Sequence, residues 1–150
     1  MNAQQQTGIG THRVVVLGAG YAGLSAAVQL AGRVRRRGGV EITLVNAEAR
    51  FTERMRLHLT ATGRKTAELD LGTLLDGTGV RFARGWVTAI DARARTVRVD
   101  DDRELAYDTL VYGLGGVADT AAVPGAEDHA YTVNDPGMNS RACCSSHHWL

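Results

Sequence analysis

Residues 14–30 read VVVLGAGYAGLSAAVQL: four apolar residues, three glycines within six positions, then apolar residues at helical spacing. Few folds accommodate that order. The β-branched run Arg13–Leu17 suits a strand buried on both faces of a parallel sheet, ending at Gly18. From Ala22 the positions Leu24, Ala27, Val28 and Leu30 recur every three to four residues, predicting a helix that continues toward Arg37 and stops at Gly38-Gly39. Glu41–Val45 (EITLV) is a second buried strand. Together they form a β-α-β unit of about 30 residues, whose crossover is expected to be right-handed.

Within that unit Gly18-Ala19-Gly20-Tyr21-Ala22-Gly23 spells G-x-G-x-x-G between strand and helix. A glycine-rich turn by itself marks only a tight connection, and its setting gives it meaning. Gly18 permits the turn, Gly20 leaves room for a pyrophosphate near the backbone, and Gly23 lets helix and strand pack closely. The helix N-terminus offers unpaired amides and the positive end of its dipole, so an anion needs no lysine there. A dinucleotide is the predicted ligand. At the end of the second strand, where an acidic residue would accept hydrogen bonds from both adenosine ribose hydroxyls, the chain has Asn46, with Glu48 two residues on. An asparagine offers one accepting oxygen and one donating amide, so one hydroxyl must act as acceptor.

The remainder extends the sheet. Residues 51–59 suggest a short helix or ordered loop, Leu69–Leu75 a turn of helix, and Val80–Ala83 a third strand. From Trp86 the sequence alternates apolar and polar residues between turn-like clusters at 91–94 and 100–103, predicting an antiparallel meander with Trp86 and Tyr107 as packing residues, followed by a buried strand Thr109–Leu114. The expected fold is therefore α/β and Rossmann-like: a parallel sheet with an inserted antiparallel β-meander. Its expected extent is 13–136, after a loose lead-in over 1–12 and before an atypical tail over 137–150, expected to be disordered.

A formal net charge of +1, with 17 basic and 16 acidic residues, supplies no global field for nucleic acid. No secretory leader pattern or integral membrane segment is evident, and a cytoplasmic protein is expected. The two cysteines, Cys143 and Cys144, are adjacent, and with His147 and His148 they lack the spacing of a structural zinc site. Arg33, Arg35, Arg36 and Arg37 fall at the end of the predicted helix, where cations offset its dipole. His58, between Leu57 and Leu59, is read as structural, and no metal ligand or catalytic residue is assigned.

Four stretches together, VVVLGAGYAGLSAA, ITLVNAEARFTERMRLH, GVRFARGWVTAIDARARTVRV and LAYDTLVYGLGG, resemble the FAD-dependent pyridine nucleotide oxidoreductases, in particular the branch of type II NADH dehydrogenases and apoptosis-inducing-factor-like proteins. The resemblance implies FAD as the bound cofactor and NAD(P)H as co-substrate of the full-length family. Gly18, Ala19, Gly20, Tyr21, Ala22 and Gly23 would surround the FAD pyrophosphate, Asn46 would face the adenosine ribose, and Val87 would touch the adenine through its backbone. Arg54, within the segment 54–58, would lie near the pyrophosphate or flavin, and Gly115 would let the chain pass close to the cofactor. Peripheral membrane association is open to the full-length family.

Departures from the family pattern are Asn46 for the acidic residue and YGLGG for an alanine-containing ending. A second G-x-G-x-x-G segment for NAD(P)H and a later G-D segment for the flavin ribityl chain are not found, and the chain is expected to be a truncated amino-terminal piece, inactive alone. A non-catalytic dinucleotide-binding fragment and the NAD(P)-binding domain of a dehydrogenase stand as alternatives.

Overall fold

The computed structural model describes residues 10–56, 59, 69–116, 119 and 121–125. They divide into two compact units, one made of 1–49 and 71–114, the other of 50–70 and 115–150. In chain order the elements are β1 (His12–Leu17), α1 (Tyr21–Val34), β2 (Val40–Asn46), β3 (Arg50–Phe51), a 3-10 turn (Arg54–Arg56), β4 (Leu69–Asp70), α2 (Leu71–Leu75), β5 (Val80–Arg84), β6 (Val87–Asp91), β7 (Thr96–Val99), β8 (Arg103–Ala106) and β9 (Thr109–Tyr112). In the second unit β3 pairs antiparallel with β4, Phe51 opposite Leu69.

The first unit is a four-stranded parallel sheet in the order β5-β2-β1-β9, with β6-β7-β8 as a separate antiparallel sheet. Both the parallel sheet and the inserted meander agree with the sequence reading. Register explains the uninterrupted apolar run. Val14–Leu17 lie opposite Ile42–Val45 on one side and Thr109–Tyr112 on the other. Alternate side chains of a strand point to opposite faces. Val15, Leu17 and Val45 form one core cluster with Val97, Val99 and Tyr107, the meander's contribution. Val16 lies on the other face, toward α1: a Cβ built on Gly23 would stand 3.5 Å from Val16 Cγ1. With a helix on one face and a meander on the other, no residue of β1 between Val14 and Leu17 is left for water. Each such fully buried side chain contributes about 1.5–3 kcal/mol relative to an exposed one.

Four details differ from expectation. The face of α1 that is buried is Gly23, Ala27 and Ala31, whereas Val28 is exposed. Small residues every four positions let the helix sit close to the strands, so the larger Leu24 and Val28 take the flank. Helix α1 ends at Val34, and 35–37 continue as a turn. Strand β9 stops at Tyr112 and not Leu114, its last ladder bond running from the Gly113 amide to Leu17 O at 2.8 Å. Trp86 is 68% exposed and so is not a core residue, while Tyr107 is buried at 7%.

Two carboxylates tie strand ends together. Asp108 accepts from the Arg13 amide at 2.7 Å and faces the Arg13 guanidinium at 3.3 Å. Asp100, in the β7–β8 turn, accepts from the Trp86 amide at 2.8 Å and from Arg103 Nη2 at 2.6 Å. Arg103 Nη2 also donates to Arg84 O at 2.6 Å, so the turn is moored to the end of β5. The backbone amide of Trp86, then Arg103, holds the Asp100 carboxyl below its ordinary value, and Arg13 does the same for Asp108 through its amide and guanidinium. For a depressed carboxyl the unfolded chain binds more protons, so the stabilisation is present above the unfolded pKa of about 3.9 and fades as pH falls through the lower folded value. Thermal melts between about pH 2.5 and about pH 5 should therefore show an acid limb. In the Asp100→Asn, Asp108→Asn double variant that limb becomes shallower.

Candidate functional site

The G-x-G-x-x-G turn sits at the carboxyl end of β1, and its glycines differ in what they face. Gly18 has φ +89°, donates its amide to Val45 O at 2.7 Å, and would overlap Gly113 O if it carried a Cβ. A Cβ on Gly23 would overlap the Gly18 carbonyl oxygen. Gly113, which the sequence reading passed over, approaches in turn: its Cβ would meet Leu17 O at 3.0 Å. Gly18 and Gly23 leave no room for a side chain where β1, α1 and β9 cross, and a methyl on Gly113 would sit tight against Leu17 O. The signal for Gly113 was its place where the family carries alanine.

Gly20 is different. Its backbone (φ −71°, ψ −175°) is one any residue adopts, and a Cβ there meets nothing within 4 Å. The fold does not require this glycine, but a ligand lying on the turn would. Gly20 is also the N-cap of α1 and offers no side-chain cap, and the first turn holds no acidic residue. Among the described residues the amides of Gly20, Ala22 and Gly23 have no hydrogen-bond partner, while the Leu24 amide is already spent on Gly20 O at 2.9 Å. Three unpaired donors at the positive end of a 14-residue helix are an arrangement that suits an anion. Tyr21, 43% exposed, flanks it, and Ala19 is buried beneath.

Asn46 closes β2 beside this turn. Its Oδ1 accepts from the Ala19 amide at 2.9 Å, and its Nδ2 donates to Glu48 O at 2.9 Å. The Asn46 carbonyl accepts from the Gly85 amide at 2.9 Å, and Arg84 Nε donates to Ala47 O at 3.2 Å, linking the ends of β2 and β5. The bond to Ala19 was not anticipated; a side-chain bond to a loop amide has no sequence pattern of its own. Val87 opens β6 with its side chain against the core cluster and its backbone opposite Val99.

The structure thus brings Gly18–Gly23 and Asn46 into direct contact, with Val87 in the same unit. Arg54 and Gly115 belong to the second unit. There Arg54 Nη1 donates to Gly116 O at 3.0 Å, and Gly115 has φ +73° with open space where a Cβ would stand. His58, Cys143, Cys144, His147, His148 and the segment 137–150 lie outside the described residues. Among the described residues no group of three or more His, Cys, Asp or Glu is placed to hold a metal ion, and no helix is long and apolar enough to cross a membrane.

Sheet order, glycine turn and meander define a Rossmann-like α/β domain. The pyridine nucleotide-disulphide oxidoreductase family matches residues 12–141, and the chain belongs to that family. Among relatives it is similar to the type II NADH:quinone oxidoreductase of Staphylococcus aureus (strain NCTC 8325 / PS 47), 32% identical over 126 residues, a match covering 82% of this chain and 31% of that protein. Among solved structures, the sulfide:quinone oxidoreductase from the hyperthermophilic bacterium Aquifex aeolicus superposes with a TM-score of 0.82 at 22% identity, covering 91% of this chain and 32% of that one. A NAD-dependent persulfide reductase from A. fulgidus gives 0.68 at 26% identity, covering 90% and 27%. The chain therefore spans about a third of the length of these relatives.

Proposed function

We propose that this chain is the FAD-binding portion, over 13–136, of an NAD(P)H:acceptor oxidoreductase. The observation that carries the reading is the Gly20 cradle: space the protein itself does not fill, bordered by the unpaired amides of Gly20, Ala22 and Gly23. An adenine dinucleotide fits it, its diphosphate accepting from those amides. Asn46 keeps a second lone pair on Oδ1 and a second hydrogen on Nδ2, one of each for the two ribose hydroxyls. The backbone at Val87 would border the adenine. Two points favour FAD over a plain NAD(P) site: the meander in place of a helical crossover, and the likeness to a type II NADH:quinone oxidoreductase.

When bound, FAD supplies hydride acceptance from NAD(P)H and onward electron delivery. The protein's part is to hold the diphosphate by fixed backbone dipoles, which need no reorganisation, and to keep α1 tight against β1 through Gly23 and Gly18. A second reading, a dinucleotide-binding piece without turnover, draws on the cradle alone, which is a binding feature. Purification followed by an absorbance scan and titration with FAD, ADP, NADH and NADPH tests both. Yellow flavin absorbance, or FAD binding tighter than either nicotinamide nucleotide, is the expected result. NADH oxidation with a quinone acceptor would favour the enzyme over the binding piece, and binding of NADPH alone would sink the FAD assignment.

A further inference from the structure

We propose that Asn46 is a positioning residue for the diphosphate-binding turn, acting through the Ala19 amide independently of any contact with ribose. The proposal deepens the dinucleotide reading and rests on it. Ala19 is only 3% exposed, so its N–H has little access to water, and Asn46 Oδ1 at 2.9 Å is its partner. A buried amide without a partner is costly, and a chain holding three glycines in six positions has much backbone freedom to regain. Donation from Nδ2 to Glu48 O fixes which way the Asn46 amide faces, so that Oδ1 and not Nδ2 is turned to the loop. One side chain thereby joins the loop after β1 to the loop after β2. Gly18 is tethered separately, by its amide to Val45 O. Consecutive amides at 18 and 19 are thus bound within the protein, and the amides of Gly20, Ala22 and Gly23 are left for a ligand. An aspartate at this position would keep the bond from Ala19 but lose the donor to Glu48 O; an alanine would lose both.

Two measurements decide it. In the ligand-free protein, amide hydrogen exchange at Ala19 should accelerate about tenfold or more in Asn46→Ala, with the core amide of Val16 unchanged, and stay slow in Asn46→Asp. Affinities are then compared for ADP and for ADP lacking both ribose hydroxyls. If the side chain acts through the loop, Asn46→Ala weakens the analogue that lacks the hydroxyls as well as ADP, about five- to tenfold, and Asn46→Asp restores the analogue. Loss confined to ADP, with the analogue bound as well as by the parent chain, would assign Asn46 to the ribose alone and overturn the proposal. Unchanged Ala19 exchange in Asn46→Ala would overturn it too. Failure of the parent chain to bind either nucleotide would instead refute the dinucleotide reading, while the exchange measurement still judges the tether.

Discussion

Gly23→Ala is expected to destabilise the domain by about 3 kcal/mol, through overpacking against backbone that has nowhere to go. The added methyl would overlap the Gly18 carbonyl oxygen, which belongs to a residue at φ +89° already tied to Val45. Relief requires α1 to withdraw from β1, and with it the packing of Ala27 and Ala31 under the sheet. At about 3 °C per kcal/mol for a domain of this size, the melting midpoint falls by about 10 °C. Gly32→Ala is the matched control: the same helix, nothing within 4 Å of the new Cβ, and a gain of about 0.5–1 kcal/mol from helix propensity. Thermal melts of the two variants should move in opposite directions.

Gly20→Val should leave folding nearly intact and abolish the ligand. Valine is a poor N-cap compared with glycine, so a loss of about 1 kcal/mol in stability is expected. Its backbone angles suit any residue, and the protein leaves the side chain open space. That space is the one assigned to the diphosphate. A branched side chain there displaces the phosphates from the three amides, and the expected fall in dinucleotide affinity is about a hundredfold or more, or about 2.7 kcal/mol. Stability and binding thus separate across one motif: Gly18 and Gly23 are demanded by the fold, Gly20 by what the fold holds.

Much of the core was legible because its physics is local. VVVL reads as a strand covered on both faces, and α1 and the meander cover it. Alternation around 91–94 and 100–103 announced the meander, whose strands β6, β7 and β8 turn within those clusters. Long-range pairing of very short pieces was not legible: β3 and β4 are two residues each, separated by 17 positions, and a two-residue strand has no period to detect. Trp86 was read as packing because it opens an alternating stretch. It follows Gly85 at φ +156° and precedes a register shift between Val87 and Ala89, and that irregular backbone turns the indole to solvent. Asn46 could be placed beside the turn from its position after β2, but its bond to Ala19 depends on how the loop closes. Gly113 gives the same lesson. Its tight surroundings are set by the crossing of three elements distant in sequence, whereas Gly115, equally visible in YGLGG, has open space around it.

If the unpaired amides around Gly20 clasp a dinucleotide diphosphate, filling the space above them must abolish binding. Titration calorimetry of ADP into the parent chain and into Gly20→Val, both verified as folded by circular dichroism, tests it most directly. Saturable 1:1 binding by the parent chain, reduced about a hundredfold or lost in Gly20→Val, is the predicted result. Equal affinity in the two proteins would contradict it, because the diphosphate would then have to lie somewhere other than on the turn.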